Sequence, residues 1–298
     1  MSDNQAASEI RTIVRTAAAS QNRASLEPSL LRRVTNCVIL GGTIICQAGR
    51  LVMAGVKILV AILLGTAAMA CAQEIPGGTA LPLRLGWTID SNKVTAGQAI
   101  SAFVAQDVPL PSGGKIKSGS RVNGRVLQIG NKLGWGVFMR LRFDQVQTKA
   151  QAIPITTSLR ALASPREVEE AQLPKTGPVV RDPGANWITV QIGDDVVYRG
   201  GGHVMNDAKV VGDPVKDGVM SVLLPVAKPG CEAGSGDRRM AVWVFGSAAC
   251  GVYGFRFLEV SHAGDKDPVG EIVLQGKKNV KLDAGSGLLL VVTEAPRP

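Results

Sequence analysis

Two histidines are the residues of this chain best suited to proton transfer. His203 follows three consecutive glycines, and His262 lies downstream of Cys250 in the segment Ser261-His262-Ala263-Gly264. A histidine can activate a serine or cysteine nucleophile, and Cys250 with His262 is one such combination. However, the chain lacks both the Gly-x-Ser-x-Gly elbow and the His-Glu-x-x-His zinc motif. We therefore expect structural or surface histidines, with an exported hydrolase or glycan-binding protein as an alternative.

Other segments resemble phosphate-binding or metal-binding loops, but each lacks residues that such a loop needs. Gly200-Gly201-Gly202 lacks the following Lys-Ser/Thr pair and helix of a phosphate loop. Asp194-Asp195 and Asp265-Lys266-Asp267 lack the alternating carboxylates of a calcium loop, so we expect solvated turn residues. The sequence predicts no cofactor, no metal site and no enzymatic activity.

The segment 53–72 has the order of a secretory signal peptide. Residues 53–57 form a short start that ends in the positively charged Lys57. An apolar run follows at 58–64, and Ala70-Cys71-Ala72 is a small-x-small cleavage site. The apolar run is shorter than the roughly 20 residues that span a bilayer. We expect a periplasmic or secreted protein, with a retained membrane anchor facing the periplasm as the alternative. Residues 1–52 are expected to be a disordered or misassigned extension.

The cysteines agree with export. Cleavage after Ala72 leaves Cys231 and Cys250, which we expect to form a disulfide in an oxidising compartment. Two buried free thiols are the alternative. Cys71 has a second interpretation, because a cysteine after small residues resembles the lipidation site of bacterial lipoproteins.

Charge and aromatic content exclude an obvious nucleic-acid binder. The formal net charge is +9, yet aromatic residues make up only 4% and the basic residues are spread along the chain. Nucleic-acid binding usually needs a basic cluster with stacking aromatics. We expect no nucleic-acid partner, and other envelope proteins or cell-wall glycan as candidate partners.

The region after the signal is predicted to be mainly β, with two small modules. Short alternating apolar segments separated by Gly, Asn, Asp and Pro indicate strands. They predict a barrel or sandwich at 79–163, a Pro-rich linker at 164–184, and a sandwich at 185–295. Trp87, Trp187 and Trp243 are expected in the two cores, whereas Trp135, between two glycines, is the candidate for a contact role.

One stretch, about residues 97–156, resembles a known family. It contains Gly97-Gln98-Ala99-Ile100-Ser101-Ala102-Phe103-Val104, then Lys115-Ile116-Lys117-Ser118-Gly119-Ser120-Arg121-Val122-Asn123-Gly124-Arg125-Val126, and ends in Ala152-Ile153-Pro154-Ile155. This is similar to the periplasmic β-barrel domain of the scaffold subunit of conjugation and type IV secretion machines. The resemblance implies a membrane-anchored component of such a machine.

Three residues carry the motif of this resemblance. Gly119 allows a turn, Ser120 can hydrogen-bond that turn, and Gly124 allows the close approach of a neighbour. From the residues as a whole, we predict an exported, non-enzymatic β protein of the cell envelope that acts as a scaffold or binding module.

Overall fold

The computed structural model describes residues 37–40, 43–46, 74–132, 136–149, 151–175, 187–228, 231, 237–261 and 270–293. The chain divides into two compact units, residues 1–70 and 71–298. In the first unit, β1 (Cys37–Leu40) and β2 (Thr43–Cys46) form an antiparallel hairpin in which Cys37 is opposite Cys46. The signal at 53–72, Cys71, Trp135 and His262 lie outside the described residues.

The second unit is mainly β, as the sequence predicts. Its elements in chain order are β3 (Ala80–Leu85), β4 (Ile89–Asp90), β5 (Ala99–Val104), β6 (Val108–Pro109), β7 (Lys115–Ile116), β8 (Arg121–Lys132), β9 (Gly136–Gln147), β10 (Ala152–Pro154), β11 (Thr156–Ala163), α1 (Pro165–Glu170), β12 (Trp187–Val190), β13 (Val196–Arg199), β14 (Val204–Asn206), β15 (Lys209–Val215), β16 (Gly218–Ser221), β17 (Met240–Ala241), β18 (Gly251–Tyr253), β19 (Leu258–Ser261), β20 (Ile272–Gly276), β21 (Lys281–Leu282) and β22 (Gly287–Thr293).

A ten-stranded sheet forms a nearly closed barrel. Its order is β18-β11-β22-β3-β5-β8-β9-β20-β19, and β10 pairs with β9. The chain returns from β9 to β11 through β10, and Ile155 N donates to Asp144 O at 3.0 Å. Thr157 Oγ1 donates to Phe143 O at 3.3 Å, which holds the start of β11 against β9. The interior is apolar because alternate residues of each strand point inward, as Leu81, Leu83 and Leu85 do in β3.

A separate sheet packs against the outside of this barrel. It is a six-stranded antiparallel meander, β12-β13-β14-β15-β16-β17. The outer barrel face presents the small residues Ala80, Ala161 and Ala163 to a second core that contains Val197, Val219 and other apolar residues of the meander. Small side chains let the two layers approach closely, and β3, β11 and β22 are buried on both faces over most of their length.

The strand clusters seen in the sequence do not correspond to the two sheets. The segments around 258–261, 272–276 and 287–293 were expected in a C-terminal sandwich, but they belong to the barrel sheet. Local patterns predict strands but not their partners, and β22 pairs with β3 across almost the whole module. The expected linker also contributes to a core, since α1 is capped by Ser164 and buries Val168.

A buried arginine joins the barrel to two loops, one between β16 and β17 and one after β17. Arg160 lies at a β-bulge in β11, where the register with β22 shifts between Leu159 and Ala161. Its side chain is 1% exposed, and its guanidinium donates to four carbonyl oxygens, those of Leu224, Cys231, Ser247 and Ala249. This arginine therefore fixes both segments that carry the two cysteines.

Candidate cleft between the barrel and the meander

A cleft of about 1200 Å³ lies between the barrel and the meander. The barrel contributes the end of β3, the end of β5 and the turn at Ser118–Gly119. The meander contributes Trp187, the segment 199–203 and the β15–β16 hairpin at 213–218. The floor includes Trp243 and Val244. This is larger than the roughly 300–1,000 Å³ of ordinary small-molecule pockets, so the cleft has room for an extended ligand.

Arg199, at the end of β13, is a half-buried cation in this cleft. Its guanidinium lies over the Trp187 ring at 5.6 Å from the centroid, and Nη1 donates to Gly218 O at 2.8 Å. Nε makes a long bond of 3.4 Å to Thr189 Oγ1. Burial lowers the pKa of Arg199 from its ordinary value. Among the described residues Arg199 has no carboxylate partner, so an anion in the cleft would compensate its lost hydration.

Trp243 has a backbone conformation that is costly for a bulky residue. Its φ is 56°, in the left-handed region, and its side chain is 6% exposed. Two buried glutamines hold it there: Trp243 N donates to Gln106 Oε1 at 2.8 Å, and Gln191 Nε2 donates to Trp243 O at 3.2 Å. Strain that the surroundings enforce in this way is concentrated at ligand sites, which marks the cleft floor as a candidate site.

Gln106 also fixes the distance between the two layers. It extends from the barrel after β5 and pairs with both backbone groups of Val219 in β16, at 2.9 Å and 3.0 Å. Gly218 leaves room for this contact, because a Cβ atom there would overlap with Oε1 of Gln106. The same Gly218 accepts the bond from Arg199. The glutamine contact therefore positions the meander hairpin that supports the arginine.

His203 and Asp213 form a pair at the rim of the cleft. His203 Nδ1 lies 2.9 Å from Asp213 Oδ1, and Arg239 forms an ion pair with the other oxygen of Asp213. The histidine side chain is exposed. In the described part of the chain, no hydroxyl or thiol hydrogen-bonds to this imidazole. The arrangement orients the ring but supplies no nucleophile.

The barrel wall of the cleft carries a second arginine–aromatic group. Phe103 in β5 is directly opposite Arg84 in β3 and Arg121 in β8. Arg84 and Phe103 line the cleft. Just outside it, Arg121 lies over the Phe103 ring at 5.8 Å, and Trp87 contacts Phe103 edge-on, with centroids 6.3 Å apart. Neither Arg84 nor Arg121 has an ion-pair partner among the described residues. The same chemistry therefore occurs on both walls.

Two tryptophans were wrongly predicted to fill the cores. Trp87 is 46% exposed and Trp187 is 42% exposed, whereas Trp243 is buried as predicted. Trp187 is the first residue of an edge strand, and Trp87 follows the last core residue of β3, so neither ring reaches an interior. Sequence reasoning did not predict Arg199 or Gln106 as site residues. Arg199 could have been found, because it directly precedes three glycines and a histidine.

The remaining predicted residues have mostly structural positions. Cys231 and Cys250 form a disulfide, with Cα atoms 5.8 Å apart. Gly119 has a φ of 81° and lines the cleft, and Gly124 faces the backbone of Arg142 in β9, where a Cβ atom would overlap. Within the described ranges the Ser120 side chain makes no hydrogen bond.

Two residues have roles that differ from the expected ones. Ser118 Oγ, rather than the Ser120 hydroxyl, bonds the turn by donating to Ala105 O at 3.2 Å. Asp195 is fully buried rather than solvated, and it accepts bonds from Asn206 and from the amide and hydroxyl of Ser247. Asp195 therefore ties the β12–β13 turn to the segment after Trp243.

Comparison with known protein families, with curated proteins and with solved structures finds no match for this chain. Across the described residues, no cluster of three or more His, Cys, Asp or Glu side chains is arranged to hold a metal ion. Within that same part of the chain, no helix has the length and apolarity needed to cross a membrane.

Proposed function

We propose that this protein is an exported, non-enzymatic binding protein of the bacterial cell envelope, and that its cleft binds a carboxylate-bearing ligand through Arg199. The observation that supports this is a half-buried guanidinium stacked on Trp187 without a carboxylate partner in the described residues. The signal-like segment 53–72 and the Cys231–Cys250 disulfide support the location.

The chemistry of Arg199 suits a carboxylate. A guanidinium is always charged at physiological pH and matches a carboxylate in a two-pronged geometry. Nη1 and Nε of Arg199 already contact Gly218 and Thr189, which orients the group, while Nη2 has no hydrogen-bond partner among the described residues. The ring of Trp187 beside it offers a flat face on which a sugar ring can stack.

Calorimetric titration with D-galacturonate, and with galactose as its uncharged counterpart, tests the proposal. We expect galacturonate to bind and galactose to bind at least about tenfold more weakly, because a charge-assisted contact is lost. Arg199→Met removes the interaction, whereas Arg256→Met, at an exposed arginine outside the cleft, serves as the matched control. Equal binding of galacturonate by both variants would contradict the proposal.

The cellular location has its own measurement. We expect the protein isolated from its native host to begin at Gln73 and to be lighter than its reduced form by the two hydrogen atoms that are removed when one disulfide forms. A lipidated Cys71 would instead anchor it to a membrane surface. Reduced cysteines in a cytoplasmic, uncut chain would exclude export.

A membrane-anchored component of a secretion or conjugation machine is the second candidate function. It is favoured by the fact that residues 97–156, which resemble that family, form consecutive strands β5–β10 of the barrel sheet and its attached hairpin. This candidate requires an uncut anchor and assembly into rings. Sedimentation of the full chain extracted from membranes tests it, since a monomer would exclude the ring.

A hydrolase is favoured only by the His203–Asp213 pair. The pair can orient the imidazole as a general base for water. If a hydrolytic activity is found and His203→Ala leaves it unchanged, the cleft is not its active site.

A further inference from the structure

We infer that the ligand of the cleft is an acidic polysaccharide that contacts two arginine–aromatic groups, one on each wall. This inference rests on the proposed function and specifies its ligand class. The meander group is Arg199 with Trp187. The barrel group begins with Arg84 and Phe103 in the cleft lining and continues beyond it to Arg121 and Trp87.

The repetition of the same chemistry points to a repeating ligand. Each wall places a guanidinium without a carboxylate partner in the described residues beside an aromatic ring that lines the cleft, Arg199 beside Trp187 and Arg84 beside Phe103. A single small anion satisfies one such group and leaves the other unused. A chain of uronic acid units presents a carboxylate and a sugar ring at every step, so one molecule satisfies both.

The barrel group is arranged as a row across three strands. Arg84, Phe103 and Arg121 are direct cross-strand neighbours on β3, β5 and β8. The two exposed guanidiniums lie on either side of one ring, so one ligand can contact both. Such a row therefore favours a ligand that carries several negative charges along its length.

The acids of the cleft favour a sugar chain over a nucleic acid. Asp213 and Asp217 line the cleft with the arginines. Carboxylates accept hydrogen bonds from sugar hydroxyls, which are donors. They repel a phosphate backbone, which offers no donor. Polysaccharides with uronic acids combine donors with separated charges, and this matches the mixed lining.

A length series of oligogalacturonates, from monomer to hexamer, tests the inference by calorimetry at about 150 mM salt, where long-range charge effects are screened. We expect the hexamer to bind at least about tenfold more tightly than the monomer, because a second contact becomes intramolecular. A fully methyl-esterified hexamer, which lacks the charges, should lose that gain.

Variants locate the second contact. Trp87→Ala and Arg121→Gln alter exposed side chains, so both variants should keep the wild-type thermal unfolding temperature. We expect each to weaken hexamer binding by about tenfold and to reduce the ratio of hexamer affinity to monomer affinity, because the second contact is lost. Arg199→Met should weaken both hexamer and monomer binding, and Arg256→Met neither.

The outcomes separate this inference from the proposed function. If the hexamer binds no better than the monomer while Arg199→Met still abolishes monomer binding, the inference fails and the proposed function stands. If neither sugar binds, both fail. If an oligothymidine of twelve nucleotides binds more tightly than the hexamer, the ligand class is a nucleic acid and the inference is overturned.

Discussion

Arg160 and Arg199 are both withdrawn from water, but their surroundings satisfy them to different degrees. Arg160 is 1% exposed and donates to the carbonyls of four residues, two between β16 and β17 and two after β17. Arg199 is half-buried, has one good hydrogen bond to Gly218 and a long one to Thr189, and stacks on Trp187. The first arginine is surrounded by the chain, and the second faces a cleft.

This contrast distinguishes Arg160, whose charge stabilises the fold, from Arg199, whose charge is a candidate for binding a ligand. Carbonyl oxygens compensate a buried guanidinium when the chain can wrap around it, and removal then leaves those acceptors unpaired. A guanidinium with open positions beside a cavity keeps part of its capacity for a ligand. We therefore expect replacement of Arg160 to affect folding and replacement of Arg199 to affect binding.

The largest expected effect is the loss of Arg160. Arg160→Met should lower the free energy of unfolding by at least about 3 kcal/mol, because several buried carbonyls lose their donor. Arg199→Met should change it by less than about 1 kcal/mol, because little buried polarity is left unpaired. Urea unfolding of both variants measures the difference.

Arg160→Lys is the second variant for this comparison, since it keeps the charge but not the fork of donors. It should fall between wild type and Arg160→Met. Equal stability losses in Arg160→Met and Arg199→Met would remove the distinction between the two sites.

The disulfide should have the next largest effect. Cys231→Ser with Cys250→Ser opens a link of sequence separation 19. We expect a loss of about 3 kcal/mol, since the link restricts the unfolded chain. Thermal unfolding under oxidising and reducing conditions measures it, and reduced wild type should match the double variant. An unchanged stability would mean that Arg160 alone holds these loops.

A smaller effect is expected at the contact between the layers. Gly218→Ala should destabilise the protein by about 1–3 kcal/mol, because the new methyl group displaces Gln106. The loss should shrink when Gln106 is also replaced by alanine, which makes the space available. A double-mutant cycle by urea unfolding measures this coupling, and full additivity would show that the clash is elsewhere.

The smallest effect concerns Asp107 at the barrel surface. Lys115 Nζ at 2.5 Å and the Ser118 amide at 2.8 Å lower the pKa of this carboxyl. A lowered pKa in the folded state stabilises the protein above the ordinary aspartate value of about 3.9, and the effect disappears as the pH falls through the lowered value.

Asp107→Asn should therefore be slightly less stable than wild type at neutral pH, and the two should converge at the acid end of a pH series of thermal unfolding. A difference that persists at low pH would mean that the asparagine perturbs the turn itself. Lys281→Gln, at a surface pair with Asp283 outside the cleft, is a suitable comparison.

Much of the fold was predictable from local patterns. The alternating residues of β3 follow from period-two hydrophobicity. The membership of the sheets was not predictable, since β22 joins β3 and β11 through contacts that no local pattern encodes. Of the candidate site, the sequence indicated Gly119 and His203 but not Arg199, Gln106 or the strained Trp243.

The amino-acid sequence by itself determined the mainly β character of this protein, because alternation and turn residues act over a few positions. It also determined the pairing of Cys231 with Cys250 once export was assumed. Only the tertiary structure decided that Arg160 is enclosed by carbonyls while Arg199 faces a cleft, since each is a single basic residue within a short β-strand segment. Their difference comes from which distant segments fold over each guanidinium, and that depends on long-range strand pairing.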